Sequence, residues 1–220
     1  MSHLHSGFSL LYEDAALLVL DKPSGLLCVP GRGAEKQDCL SARVQAVYPD
    51  ALVVHRLDMA TSGLVLMARG LDNQRRLSAA FEAREVGKRY VAWVAGVLVH
   101  ADDEWSTIDM PIAADWPRRP RQVVDHVNGK PSTTRWRLAP LNAQSHDSST
   151  SRIELEPVTG RTHQLRVHMA AIGHPILGDA LYSDVSTTQS AKRLMLHAAT
   201  MSLAHPQNQA ALNFESSVPF

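Results

Sequence analysis

Asp58 lies in a nine-residue turn, His55-Arg56-Leu57-Asp58-Met59-Ala60-Thr61-Ser62-Gly63, which sets a histidine, an arginine and two hydroxyls around one carboxylate. A nearby cation and hydrogen-bond donors favour the ionised form, the state a carboxylate needs to act as nucleophile or base. The same residue types also make a surface ion pair of Arg56 and Asp58 beside a Ser-Gly turn. Local sequence leaves both readings open. A second stretch, Thr159-Gly160-Arg161-Thr162-His163-Gln164-Leu165-Arg166, reads as a turn into a helix capped by Thr162 and running to Ile172. On such a helix His163 and Arg166 share a face near the positive end of the helix dipole. Two cations there suit an anion, either a phosphate or Asp58. From Asp115 to Arg137, Arg118, Arg119, Arg121, Lys130, Arg135 and Arg137 oppose only Asp115 and Asp125, with Trp116 and Trp136 interleaved. That mixture suits phosphate contact and base stacking, or a solvated hairpin.

These residues need elements to position them. The apolar runs Ala51-Leu52-Val53-Val54 and Leu64-Val65-Leu66-Met67-Ala68 predict two strands flanking the Asp58 turn. Leu17-Leu18-Val19-Leu20 predicts a buried strand ending at Asp21-Lys22-Pro23-Ser24-Gly25, where Lys22 reads as a solvated turn lysine. Asp38 reads as the N-cap of a helix carrying Leu40, Val44 and Val47, and Asp72 as the start of another carrying Leu77, Ala80, Phe81 and Arg84. Tyr90 lies in the alternating strand Lys88 to Gly96, a place where tyrosines commonly pack in the core or at its rim. Arg152-Ile153-Glu154-Leu155-Glu156-Pro157 predicts a further strand, Pro175 to Asp179 a tight turn, and Leu194 to Ala198 the last apolar strand.

With 220 residues, 45% hydrophobic and 20% charged, the chain has an ordinary globular composition. No apolar run is long enough to span a bilayer, and the first residues have no signal-peptide core, so a cytoplasmic protein is expected. Cys28 and Cys39 fit neither a zinc spacing nor a disulfide framework and read as free thiols. His163 and His168 are five apart, which does not align two ligands on one helical face, so no metal is expected. Twenty-two basic and 22 acidic residues cancel, and any affinity for nucleic acid has to come from local asymmetry.

Five stretches in order resemble the RluA family of pseudouridine synthases: Asp21-Lys22-Pro23-Ser24-Gly25-Leu26; His55-Arg56-Leu57-Asp58 with Thr61-Ser62-Gly63; Lys88-Arg89-Tyr90-Val91-Ala92; Thr159 to Arg166 with His174-Pro175-Ile176-Leu177-Gly178-Asp179; and Leu196-His197-Ala198. The Asp115-Trp116-Pro117 turn and Gly129-Lys130-Pro131 are similar to the dual-specificity branch, which acts on a large-subunit rRNA loop and tRNA anticodon stem-loops. The resemblance implies an α+β fold: a mixed, mostly antiparallel sheet with flanking helices and a central cleft, in a single catalytic domain over residues 1–220 with no separate N-terminal RNA-binding domain. It implies an isomerase that acts on uridine in RNA without a cofactor, as a monomer.

In the family the aspartate matching Asp58 is the nucleophile, attacking carbon 6 of uracil or the anomeric carbon of ribose. Tyr90 matches the tyrosine that stacks on the flipped base and takes part in proton transfer. Arg166 matches the cation that pairs with the nucleophile, Leu196 a wall of the uracil pocket, and Arg56 an arginine that fills the vacated stack. Arg161, His163, Arg118, Arg119 and Arg121 are expected to contact RNA, on a surface with Asp102, Asp103 and Glu104 turned away. The rivals are a catalytically idle RNA-binding or RNA-folding module on the same scaffold, and a nucleoside hydrolase, which would need a second carboxylate to activate water.

Overall fold

The computed structural model describes residues 3–5, 8–99, 104–139 and 149–220, the first three as backbone only. In chain order the elements are β1 (His3–His5), β2 (Phe8–Glu13), β3 (Leu17–Lys22), α1 (Leu40–Gln45), β4 (Ala51–Val53), β5 (Ser62–Arg69), α2 (Leu71–Glu82), β6 (Gly87–Ala95), β7 (Ser106–Asp109), β8 (Ile112–Ala114), β9 (Gln122–Val124), β10 (Thr133–Leu138), β11 (Thr150–Pro157), α3 (Gln164–Ala171), α4 (Val185–Gln189), β12 (Leu196–Ala204) and β13 (Ala211–Glu215). They form two compact units, Met1–Lys88 with Ala198–Pro219, and Arg89–His197 with Phe220.

In the first unit β1, β2, β3 and β5 pair in turn as antiparallel neighbours, β4 also pairs with β5, and β12 pairs with β13. Leu17 to Leu20 on β3 and Leu64, Leu66 and Ala68 on β5 are wholly buried. Such strands are covered on both faces, which is why they read as continuous apolar runs rather than alternating ones. Helix α2 packs on β4 and β5, and α1 packs on β2 and β4. In the second unit the order is β6, β11, β10, β7, all antiparallel, and β8 and β9 make a separate ribbon. Helix α3 packs on β9, β10 and β11. The α+β class and the predominance of antiparallel pairing agree with the expectation.

Helix starts differ from it. Asp38 spends its carboxylate on both Nε and Nη2 of Arg43, at 2.6 Å each, and α1 is capped instead by Cys39 in extended conformation. Gly70 precedes α2, placing Asp72 in the first turn, and Arg84 lies beyond the helix with φ 63°. For α3 the N-cap is His163, left-handed at φ 56°, and not Thr162. The cause is Gln164: its buried side chain accepts from Thr159 Oγ1 at 2.6 Å and Arg161 N at 3.0 Å and donates to Thr133 O and Thr134 Oγ1. That network ties down the turn a threonine cap would otherwise close. β13 follows β12, so the strand of Leu196 is not the last. Asp102 and Asp103 lie outside the described residues.

Candidate active site

The Asp58 turn connects β4 to β5, as expected, and contacts from the preceding turn hold its backbone. Lys22 is completely buried, which corrects the expectation of a solvated lysine. Its ammonium donates to the carbonyls of Pro23 at 2.9 Å, Leu26 at 2.8 Å and Met59 at 3.0 Å. Three carbonyl acceptors offset the loss of water that makes a buried cation costly. Ser24 Oγ donates to Ala60 O at 2.6 Å, and Gly25 N to Met59 O at 2.8 Å. Within the turn Thr61 N donates to Asp58 O at 3.2 Å. On the other side the Leu57 amide donates to Cys28 Sγ at 3.2 Å, inside a buried environment that pushes the Cys28 thiol pKa up. Gly63 closes the motif at φ 108°, where a Cβ would stand 2.3 Å from the Ala198 carbonyl oxygen. The backbone on both sides of Asp58 is therefore fixed, with Asp58 half-buried and Arg56 exposed.

His55 is a structural member of the motif. Its Nε2 accepts from Leu66 N at 2.9 Å and its ring stacks on Phe81 with centroids 4.5 Å apart. Burial, reinforced by the Lys88 charge, lowers its pKa to about 3. A histidine that stays neutral when folded and ordinary when unfolded stabilises the fold fully above about pH 6.5 and progressively less as the pH falls toward 3. The expected slope is at most about 1.4 kcal/mol per pH unit. Urea midpoints at pH 7 and pH 5 should converge in His55→Gln relative to wild type. An unchanged pH dependence would exclude His55 as its source.

In the second unit Tyr90 is half-buried on β6 opposite Leu155 of β11, and Leu196 is buried at the start of β12. Arg166, on the first turn of α3, is buried and makes a bidentate pair with Asp179, Nε to Oδ2 and Nη2 to Oδ1 both at 2.7 Å. Asp179 Oδ1 also accepts from Leu181 N at 2.9 Å and Tyr182 N at 3.3 Å. Gly178, at φ 73°, lets this turn pass where a Cβ would stand 2.0 Å from Arg193 O. His163, outside the helix, does not share a helical face with Arg166. Its Nδ1 lies 2.6 Å from the Tyr182 hydroxyl, and Arg161 is exposed, with Nε donating to Pro131 O at 3.3 Å. The sequence assigns no role to Lys22 beside Asp58, nor to Asp179 and Tyr182 beside Arg166. Asp179 stands in the sequence as the end of a turn and of a family-like stretch, thirteen residues past Arg166, with nothing local to pair the two.

The basic stretch splits in two. Between β8 and β9, Arg118 and Arg119 are exposed, Arg118 pairs with buried Asp115 at 2.8 Å, and the Arg119 guanidinium lies 3.3 Å from the ring centroid of exposed Trp116. Arg121, half-buried, lies over the Tyr182 ring at 5.6 Å. On β10, Arg135 pairs with Glu156 at 3.0 Å and Arg137 with Glu154 at 2.8 Å, and both lie over Trp105. Their counter-charges come from the neighbouring strand β11, which a count restricted to residues 115–137 cannot include. Of the three acids expected to turn away, Glu104 alone is described, and it is exposed.

A family model described as RNA pseudouridylate synthase matches residues 16–171. The chain belongs to the RNA pseudouridylate synthase family. It is 43% identical over 96% of its length to the dual-specificity RNA pseudouridine synthase RluA of Escherichia coli (strain K12), covering 93% of that protein. It is 44% identical over 96% of its length to the protein of the same name from Yersinia pestis, covering 98% of it. Among solved structures it resembles Human RNA Pseudouridylate Synthase Domain Containing 1, with a TM-score of 0.77, 28% identity, and coverage of 97% of this chain and 84% of that one. As a pseudouridylate synthase the chain is an isomerase, the enzyme class its motifs implied. The span matched to the family contains Lys22, Asp58, Tyr90 and Arg166 and stops short of Asp179 and Tyr182. Among the described residues no helix is long and apolar enough to cross a membrane.

Proposed function

We propose that this protein converts specific uridines of structured RNA to pseudouridine, in a large-subunit rRNA loop and in tRNA anticodon stem-loops, with Asp58 as nucleophile. The observation that carries the reading is the pinned turn: a carboxylate whose neighbouring carbonyls are held by Lys22, Ser24 and Gly25 is positioned before substrate arrives. An idle RNA-binding module has no use for such a carboxylate. In the reaction the Asp58 carboxylate bonds to carbon 6 of uracil or to the ribose anomeric carbon. The N1 glycosidic bond breaks, the base turns, and carbon 5 bonds to the anomeric carbon as Asp58 departs. The proton lost from carbon 5 is balanced by one gained at N1, so no cofactor enters.

Tyr90 supports the flipped base and its deprotonation, Leu196 lines the uracil pocket, and Arg56 fills the space the base leaves. Arg166 is the cation that orients Asp58. A guanidinium carries five N–H donors, so the bidentate pair with Asp179 occupies one edge and does not exhaust the side chain. Residues 1–220 serve as a single catalytic domain, in a cytoplasmic monomer, and Arg118, Arg119, Arg121, Arg161 and His163 contact RNA.

The β8–β9 tip gives a separable prediction. Arg119→Ala is expected to weaken RNA binding and to reduce its logarithmic salt slope by about one, the loss of one phosphate contact. Arg135→Ala, already neutralised by Glu156, should leave the slope unchanged. Equal slopes in both variants would remove the tip from the RNA surface. The proposed function itself is tested by mapping pseudouridine in rRNA and tRNA of cells with and without the protein. Defined positions should revert to uridine in its absence, and identical maps would refute it.

A further inference from the structure

No step of the proposed isomerisation uses Tyr182, yet it joins several parts of the second unit. Its hydroxyl accepts the Gln122 backbone N–H at 2.8 Å, at the start of β9, and lies 2.6 Å from His163 Nδ1. The guanidiniums of Arg166 and Arg121 lie 5.0 and 5.6 Å from its ring centroid. Its own amide donates to Asp179 Oδ1, on the carboxylate that holds Arg166. One side chain thus touches the foot of the basic hairpin, the residue that starts α3, and the buried Arg166.

The Gln122 bond bears on the tautomer of His163. A phenol has one proton to donate and lone pairs to accept. The Gln122 N–H takes one lone pair of the oxygen, and the 2.6 Å contact to Nδ1 is made either by the Tyr182 O–H donating to an unprotonated nitrogen or by a protonated Nδ1 donating to the other lone pair. Only the first arrangement uses the phenol proton in this contact, and in it the imidazole proton resides on Nε2. His163 also holds a left-handed backbone, φ 56°, which costs a residue with a Cβ about 1 kcal/mol and persists where surroundings enforce it. The left-handed turn brings the ring to Tyr182 while leaving the residue half-exposed.

We propose that Tyr182 is a positioning residue that fixes His163 as its Nε2–H tautomer, making His163 a hydrogen-bond donor to an acceptor on RNA. The functional half of this proposal rests on the reading of His163 as an RNA-contacting residue. The structural half does not. Tyr182→Phe removes one oxygen and keeps the ring beside its two guanidiniums, so the variant should fold.

The test is long-range proton–nitrogen correlation on the 15N-labelled full-length protein at pH 8, with steady-state kinetics on a stem-loop RNA. In wild type, His163 should show a protonated Nε2 and an unprotonated Nδ1. In Tyr182→Phe the two tautomers should mix, KM for RNA should rise by about tenfold, the scale of one lost hydrogen bond, and kcat should change by less than about twofold. Adding His163→Ala to Tyr182→Phe should cost little more, because the pair acts as a unit. A protonated Nδ1 in wild type, an unaltered tautomer in Tyr182→Phe, or an unchanged KM would overturn the proposal. Should Tyr182→Phe not fold, the wild-type tautomer alone decides. A wild-type protein that leaves all RNA unmodified would refute the proposed function and leave the tautomer result standing.

Discussion

Asp58→Asn is expected to abolish pseudouridine formation, with kcat lowered at least ~10⁴-fold and RNA affinity kept within about threefold of wild type. The amide has nearly the shape of the carboxylate, but its oxygen lacks the charge to form and release a bond to carbon. The rest of the turn should not move. Its anchors are Lys22 and Gly25 on the Met59 carbonyl, Ser24 on the Ala60 carbonyl and Leu57 on Cys28, and none of them uses the Asp58 side chain. Single-turnover kinetics with a filter-binding isotherm separate the two effects. Loss of binding together with activity would mean that Asp58 holds the fold or the RNA and is not the nucleophile.

Asp179→Ala should lower unfolding stability by about 3–5 kcal/mol, because it leaves a buried guanidinium without its carboxylate. The pair is nearly sealed from water, with side-chain exposures of 6% for Arg166 and 0% for Asp179, so solvent cannot replace the lost partner. Two backbone amides, Leu181 and Tyr182, lose their acceptor as well. Arg75→Ala is the control: its 3.4 Å pair with Asp72 is exposed on both sides, and the expected change is about 0–1 kcal/mol. Urea unfolding followed by circular dichroism measures both. Activity of the folded Asp179→Ala fraction should also fall, since Arg166 would no longer be held in one orientation. A loss near that of Arg75→Ala would show that the Arg166–Asp179 pair contributes little.

The readable and unreadable parts of this chain divide by how far apart in sequence the interacting groups lie. β3 and β5 were legible because an apolar run records burial on both faces of a strand, whatever its neighbours are. The Asp58 turn was legible because its polar residues are contiguous and lie between two such runs. Lys22 was not: beside Pro23, Ser24 and Gly25 it has the signature of a solvated turn, and the Met59 carbonyl, 37 residues later, joins those of Pro23 and Leu26 to complete the set of acceptors that offsets its burial. Arg135 and Arg137 looked like free cations because Glu156 and Glu154 approach across a strand pairing. The N-cap of α3 is His163 and not Thr162 because Gln164 bonds to Thr159 five residues earlier and to Thr133 on β10, 31 residues earlier, competition that a propensity for threonine caps does not contain.

The central claim is that Asp58 opens a glycosidic exchange that ends with the loss of the carbon 5 proton. Its most direct test uses stem-loop RNA carrying tritium at carbon 5 of uridine, incubated with the purified protein and no added cofactor. Wild type should release one tritium into water for each pseudouridine formed, and Asp58→Asn should bind the same RNA and release none. Release by Asp58→Asn at a rate near that of wild type would contradict the account.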